Sequence, residues 1–123
     1  MPGNDPITTS IAVEDGIVVL AVEGEIDLAT LPAFDAAIAD AEAQTRGALV
    51  VDLTGVDFLA SAGLQALVAT HERVGRTAGF AVVANGPATS RPIQLTGLDQ
   101  IFSLFPTLPD ALMELKKSSG SSN

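Results

Sequence analysis

Cysteine is missing from the 123-residue chain, which rules out disulfides, thiolate nucleophiles and cysteine-based metal sites. Tryptophan and tyrosine are missing too, and aromatic residues reach only 4%. That composition argues against the stacking platforms that hold single-stranded nucleic acid. Positive charge is scarce: six Lys and Arg stand against fifteen Asp and Glu, for a net charge of −9. Such a chain repels phosphate backbones and anionic headgroups at long range, so neither nucleic acid nor a membrane surface is an expected partner. No window approaches the roughly 20 apolar residues of a membrane span, and "MPGNDPITTS" lacks the basic start and apolar stretch of a secretory signal. A soluble protein of the cytoplasm is expected.

What is present is aliphatic. Apolar residues make up 47% of the chain, so the core must be built from Val, Leu, Ile and Ala, a composition suited to a sheet packed against helices. The length fits one domain. We expect an extension over residues 1–6, the domain over 7–117, and a disordered tail over 118–123, where "SSGSSN" has little apolar content. The acids are unevenly spread. Residues 1–60 hold eleven acids and one base, Arg46, whereas residues 61–123 hold four acids and five bases. The negative field belongs to one half, and serves either solubility or the choice of a basic partner.

Ile7, Thr9, Ile11 and Val13 alternate with small or polar residues and predict a strand, and Asp15-Gly16 predicts a hairpin to a second strand over Ile17–Glu23. Thr30, followed by Pro32, predicts the cap of a helix carrying Leu31, Phe34, Ile38 and Ala41, stopped at Gly47. A buried strand is expected from Ala48 to Leu53, interrupted by Thr54-Gly55, and a helix from Ser61 with Leu64, Leu67, Val68 and Val74 on one side. Residues 80–84 read as a further strand. Ser90 is placed to cap a short helix over Pro92–Leu95, residues 101–105 to form an edge strand, and Thr107 with Asp110 to open a last helix. Lys116 and Lys117 suit the negative end of that helix. The fold class is α/β: a mixed, mostly parallel sheet of four to five strands, with an N-terminal antiparallel hairpin and about four helices. Function in such sheets lies beyond the carboxyl ends of the strands, where Ser61 falls.

Catalysis at Ser61 would need a base in reach. The single histidine, His71, is ten residues further along the same helix, about 15 Å away, and reads as a helix-flank residue. Glu23, Glu25 and Asp27, spaced i, i+2, i+4, would share a face of an extended segment, the arrangement of a proton-sharing or cation-holding cluster. A solvated acidic face is the plainer reading. No glycine-rich phosphate loop is present, and no enzyme, metal or cofactor is expected. Ser61 itself suits a helix N-cap, its hydroxyl accepting from the N–H of Gly63 or Leu64. An exposed hydroxyl at a positive helix end, between Ala60 and Ala62, can also accept a phosphate from another protein's active site.

Three stretches carry a family resemblance. "VDLTGVDFLASAGLQALV" at 51–68, "GEIDLAT" at 24–30 and "LTGLDQIF" at 95–102 resemble, in order, segments of the STAS domain, and within it of the bacterial anti-sigma factor antagonists. The resemblance implies partner switching. Such an antagonist binds an anti-sigma factor of the histidine-kinase-like ATPase type and frees a sigma factor; that ATPase, a serine kinase, phosphorylates the antagonist and breaks the complex, and a phosphatase resets it. It implies Ser61 as phosphoacceptor and Gly24, Asp27, Ala60, Ala62, Gly63 and Leu64 as partner-binding residues. The family commonly shows Asp-Ser-(Ser/Thr)-Gly where this chain reads Ala60-Ser61-Ala62-Gly63. A STAS adaptor subunit of a membrane transporter, with Ser61 only a cap, is the alternative.

Overall fold

A computed structural model describes residues 7–120; the expected extension over 1–6 and the last three residues of the expected tail lie outside them. Two strands, β1 (Ile7–Glu14) and β2 (Ile17–Ile26), form the predicted hairpin around Asp15 and Gly16. Both turn residues have positive φ, 53° and 80°, the two-residue geometry whose twist matches paired strands. There follow α1 (Leu31–Gln44), β3 (Ala48–Leu59), α2 (Ser61–Val74), β4 (Gly79–Val83), α3 (Ser90–Leu95), a 3-10 turn (Leu98–Gln100), β5 (Ser103–Phe105) and α4 (Leu108–Gly120). Strand order in the sheet is sequential, β1-β2-β3-β4-β5. Among the described strands, β1–β2 pair antiparallel and the other three pairings are parallel.

Two apolar layers sandwich the sheet. On one side, Val18, Leu20, Val22, Leu49, Val51 and Leu53 meet Phe34 and Ile38 of α1, Leu64 and Leu67 of α2, and Ile93 of α3. On the other, Ile17, Val19, Ala48, Val50, Ala81 and Val83 meet Ala111 and Leu112 of α4. Alternate residues of the central strands are thus buried on both faces, which is why they read as continuous apolar runs. Each fully buried Leu, Ile or Val contributes about 1.5–3 kcal/mol by leaving water. The single helix of the second layer covers only the first half of β2 and β3. Past it, Glu23, Glu25, Thr54, Asp57 and Phe58 are exposed.

Several boundaries differ from the sequence reading. β3 does not stop at Thr54-Gly55 but runs on to Leu59. Asp52 accepts from the Thr54 N–H at 3.0 Å and its hydroxyl at 2.8 Å, and Gly55 sits so close to Glu23 that a Cβ would lie 2.6 Å from its Cγ. The β2–β3 register shifts at this stretch and again after Gly24. β2 correspondingly extends three residues past Glu23. The tail expected from 118 is helical as far as Gly120, because α4 continues without a proline to stop it. At its start, Thr107 accepts from the Asp110 N–H at 3.2 Å, as the sequence predicted.

Candidate functional site

The carboxyl ends of β2 and β3 and the first turn of α2 are held together by one long-range bond: the Ala60 N–H donates to the Ile26 carbonyl at 2.9 Å. That bond fixes Ala60 in extended conformation (φ −81°, ψ 166°) and makes it the N-cap of α2. Its carbonyl accepts from the N–H groups of Gly63 (2.9 Å) and Leu64 (3.2 Å). Ser61 is therefore the first helical residue and not the cap expected of it. No side chain caps α2. The Ser61 side chain is exposed, and among the described residues no hydrogen bond engages its hydroxyl. It stands at the positive end of a 14-residue helix, where added negative charge is tolerated.

Gly63 lies directly beneath. A Cβ there would sit 2.7 Å from both Ile26 Cγ2 and Leu59 Cδ1, so only glycine lets the helix start this near the sheet. Leu64 points the same way and is 8% exposed. Gly63 and Leu64 thus mount the site from below, Gly63 by its close approach to the sheet and Leu64 by a side chain packed into the core. Gly24 has φ of +108°, a conformation that L side chains avoid; it bends β2 at the register shift and contributes through its backbone. Ala60 and Ala62 are half-buried beside the serine.

Asp27 does not extend the Glu23, Glu25 series. β2 ends at Ile26, and the next four residues form a reciprocal turn in which the Thr30 N–H donates to Asp27 Oδ1 (3.0 Å) and the Asp27 N–H donates to Thr30 Oγ1 (2.9 Å). The Thr30 hydroxyl donates in turn to the Glu25 carbonyl at 2.8 Å. Thr30 is buried and faces backward, so it closes this turn rather than capping α1 with its side chain. The three acids accordingly form no cluster. Among the described residues, no group of three or more His, Asp or Glu is placed to hold a metal ion.

Two exposed apolar side chains were missed by the sequence reading. Leu28, at the tip of the turn, is 77% exposed, and Phe58, opposite Glu25, is 50% exposed. Phe58 hides in an apolar run, "VDFLA", and only the shifted register turns it to solvent. Its neighbour Asp57 was the available signal, since an acid within an otherwise apolar run marks a face that meets water. Beside the site, a groove of about 580 Å³ separates α1 from α2, lined by Leu31, Asp35, Ala62, Gln65 and Ala66 among others. Its far end is closed by Arg73, whose guanidinium donates to Glu42 at 2.8 and 3.1 Å. That hydrogen bond raises Arg73 above its ordinary pKa.

His71 is remote from all of this. Its ring packs against Phe80 (6.0 Å between centroids) and Phe102 (6.4 Å), with Nδ1 buried and, among the described residues, without a hydrogen-bond partner. The site is therefore an exposed hydroxyl on a rigid helix start at the carboxyl edge of the sheet, tied through the Ala60–Ile26 bond to the turn that carries exposed Leu28. Among the described residues no helix is long and apolar enough to cross a membrane.

Fold and site together define a class, and the STAS domain model matches residues 8–111; the chain belongs to the STAS domain family. Two relatives sharpen this. A Mycobacterium tuberculosis protein named anti-sigma-F factor antagonist RsfB is 49% identical over 112 residues, covering 91% of this chain and 92% of that protein. The crystal structure of an anti-sigma factor antagonist from Mycobacterium paratuberculosis is 51% identical with a TM-score of 0.87, covering 94% of this chain and 99% of that one. SpoIIAA of Bacillus in its unphosphorylated form has the same fold at 17% identity, with a TM-score of 0.69 and coverage of 89% and 96%.

Proposed function

We propose that this chain is an anti-sigma factor antagonist: it binds an anti-sigma factor, releases a sigma factor, and is switched off by phosphorylation of Ser61. The names of the two close mycobacterial relatives support the first part. The second rests on one observation. Ser61 is exposed at the first turn of α2 while the capping role is taken by Ala60, so its hydroxyl is free of structural duty.

The mechanism follows from charge. A phosphate on Ser61 brings about −1.5 to −2 charges and lies against the helix start, whose unpaired N–H groups accommodate it without unfolding α2. The antagonist itself stays folded. What changes is the surface: a partner seated over Ala60, Ala62, Leu28 and Phe58 would have to strip water from a dianion. A loss of about 3 kcal/mol is worth more than 100-fold in affinity, so one phosphate suffices to separate the pair. The partner is an anti-sigma factor of the histidine-kinase-like ATPase type that itself supplies the kinase machinery, a phosphatase removes the phosphate, and the exchange takes place in the cytoplasm.

Incubation with the anti-sigma kinase and ATP, followed by mass mapping, tests the assignment. Phosphate is expected at Ser61. Ser61→Ala should bind the anti-sigma factor as the unmodified protein does, and Ser61→Glu roughly 100-fold more weakly by calorimetry. Label at another residue, or equal affinities for the two variants, would overturn the switch.

A further inference from the structure

Among the described residues, β1 is an edge strand with none of the usual protection. It pairs with β2 without interruption from Ile7↔Gly24 to Glu14↔Ile17, and it contains no proline, lysine or bulge of the kind that normally blunts such an edge. The opposite edge of the sheet, β5, is three residues long and followed by Pro106. Ile7 to Val13 is also free of charge, in a chain of net charge −9. The acids that follow are held by α4: Lys116 lies 2.9 Å from Asp15 and 3.5 Å from Glu14.

The hairpin fixes which backbone groups are free. Around a two-residue turn the closing pair, here Glu14 and Ile17, exchanges both hydrogen bonds, and every second pair along the ladder does the same. Thr8, Ser10, Ala12 and Glu14 therefore direct their N–H and C=O groups to β2. Ile7, Thr9, Ile11 and Val13 direct theirs outward. This outward set is its own complement. Turned about an axis through Ser10, Thr9 comes opposite Ile11 and Ile7 opposite Val13, and the free groups close about eight hydrogen bonds with none left over. The same pairing lays Ile7 of one copy against Val13 of the other, a side chain otherwise 59% exposed.

We propose that a second copy of this chain binds here, two β1 strands joining antiparallel about a two-fold axis at Ser10 to make one continuous sheet. The contact is a strip about 27 Å long, far smaller than a standard interface, so the dimer is weak, with a dissociation constant on the order of 100 µM. It leaves Ser61 open, since β2 and β3 intervene.

The absence of native cysteine makes the test clean. In Ser10→Cys the two sulfurs would face each other across a pair whose Cα atoms are about 4.5 Å apart, within disulfide reach. In Thr8→Cys they would be four residues out of step, about 14 Å apart. Under mild oxidation S10C should cross-link at least tenfold faster than T8C. In sedimentation, the wild-type mass should climb from 12.5 kDa toward twice that value between about 20 µM and about 1 mM. Thr9→Pro, which deletes an outward N–H, and Ser10→Lys, which sets two ammonium groups face to face, should both stay monomeric. The proposal fails if the wild type remains at 12.5 kDa throughout, if T8C cross-links as fast as S10C, or if T9P and S10K still associate.

Discussion

Ala60 occupies a cap position with a cap's backbone but no capping side chain, and Ala60→Asp tests what that vacancy costs. The dihedrals, φ −81° and ψ 166°, already suit an N-cap, so the substitution demands no rearrangement. Its carboxylate can accept from the N–H of Ala62 or Gly63, in a turn where the Ala60 carbonyl alone serves as acceptor. Replacing alanine by aspartate at such a site gains about 1 kcal/mol, and the dipole of α2 adds a few tenths. Repulsion from Asp27 and Asp57 across partly solvated space removes a comparable few tenths. The net is about +1 kcal/mol. With a urea slope of about 1.5 kcal/mol/M, the unfolding midpoint rises by about 0.7 M with the slope unchanged. A midpoint that stays put or falls would mean that the end of α2 is already satisfied, and the account of Ser61 as a free hydroxyl at an uncapped terminus would fall with it.

Gly63→Ala should destabilise by about 1–2 kcal/mol, the overpacking against Ile26 and Leu59 outweighing the gain in helix propensity; urea unfolding reads the difference. Asp27→Ala leaves the N–H of buried Thr30 unpaired, costing about 1–2 kcal/mol and lowering the melting temperature by about 4–8 °C, whereas Asp27→Asn keeps an acceptor and most of the stability. Phe58→Ala should barely move the melting temperature yet weaken anti-sigma factor binding tenfold or more, as befits a half-exposed aromatic at an interface centre. Lys116 is raised above its ordinary 10.5, chiefly by its hydrogen bond with Asp15. Its stabilisation is thus full below pH 10.5 and is lost as the pH rises through the higher folded value, so Lys116→Met should melt below the wild type at pH 8 and level with it once that value is passed.

Strands, helices and their order were legible in the sequence because period-two and helical spacings survive in the local text. The hairpin turn and the Thr107–Asp110 cap were legible for the same reason. What escaped was decided by contacts between distant residues. Serine is a favoured N-cap, but the Ala60 N–H finds the Ile26 carbonyl 34 positions back and moves the helix boundary by one. Phe58 lies past the Thr54-Gly55 interruption where the sequence reading ended the strand, and only the shifted register of the longer strand turns it outward. Asp27 matched an alternating acidic strand until Thr30, three residues later, drew it into a turn. Gly63 and Leu64 lie in the motif that marks the family, yet they support the surface from within, a distinction that only packing reveals.

The bond between Ile26 and Ala60 has a kinetic consequence. Because it clamps the turn bearing Leu28 to the helix bearing Ser61, an incoming protein meets both as one finished piece and need not wait for a loop to settle. Encounter is then limited by diffusion and by the acidic field around the site, with no loop-ordering step to slow it.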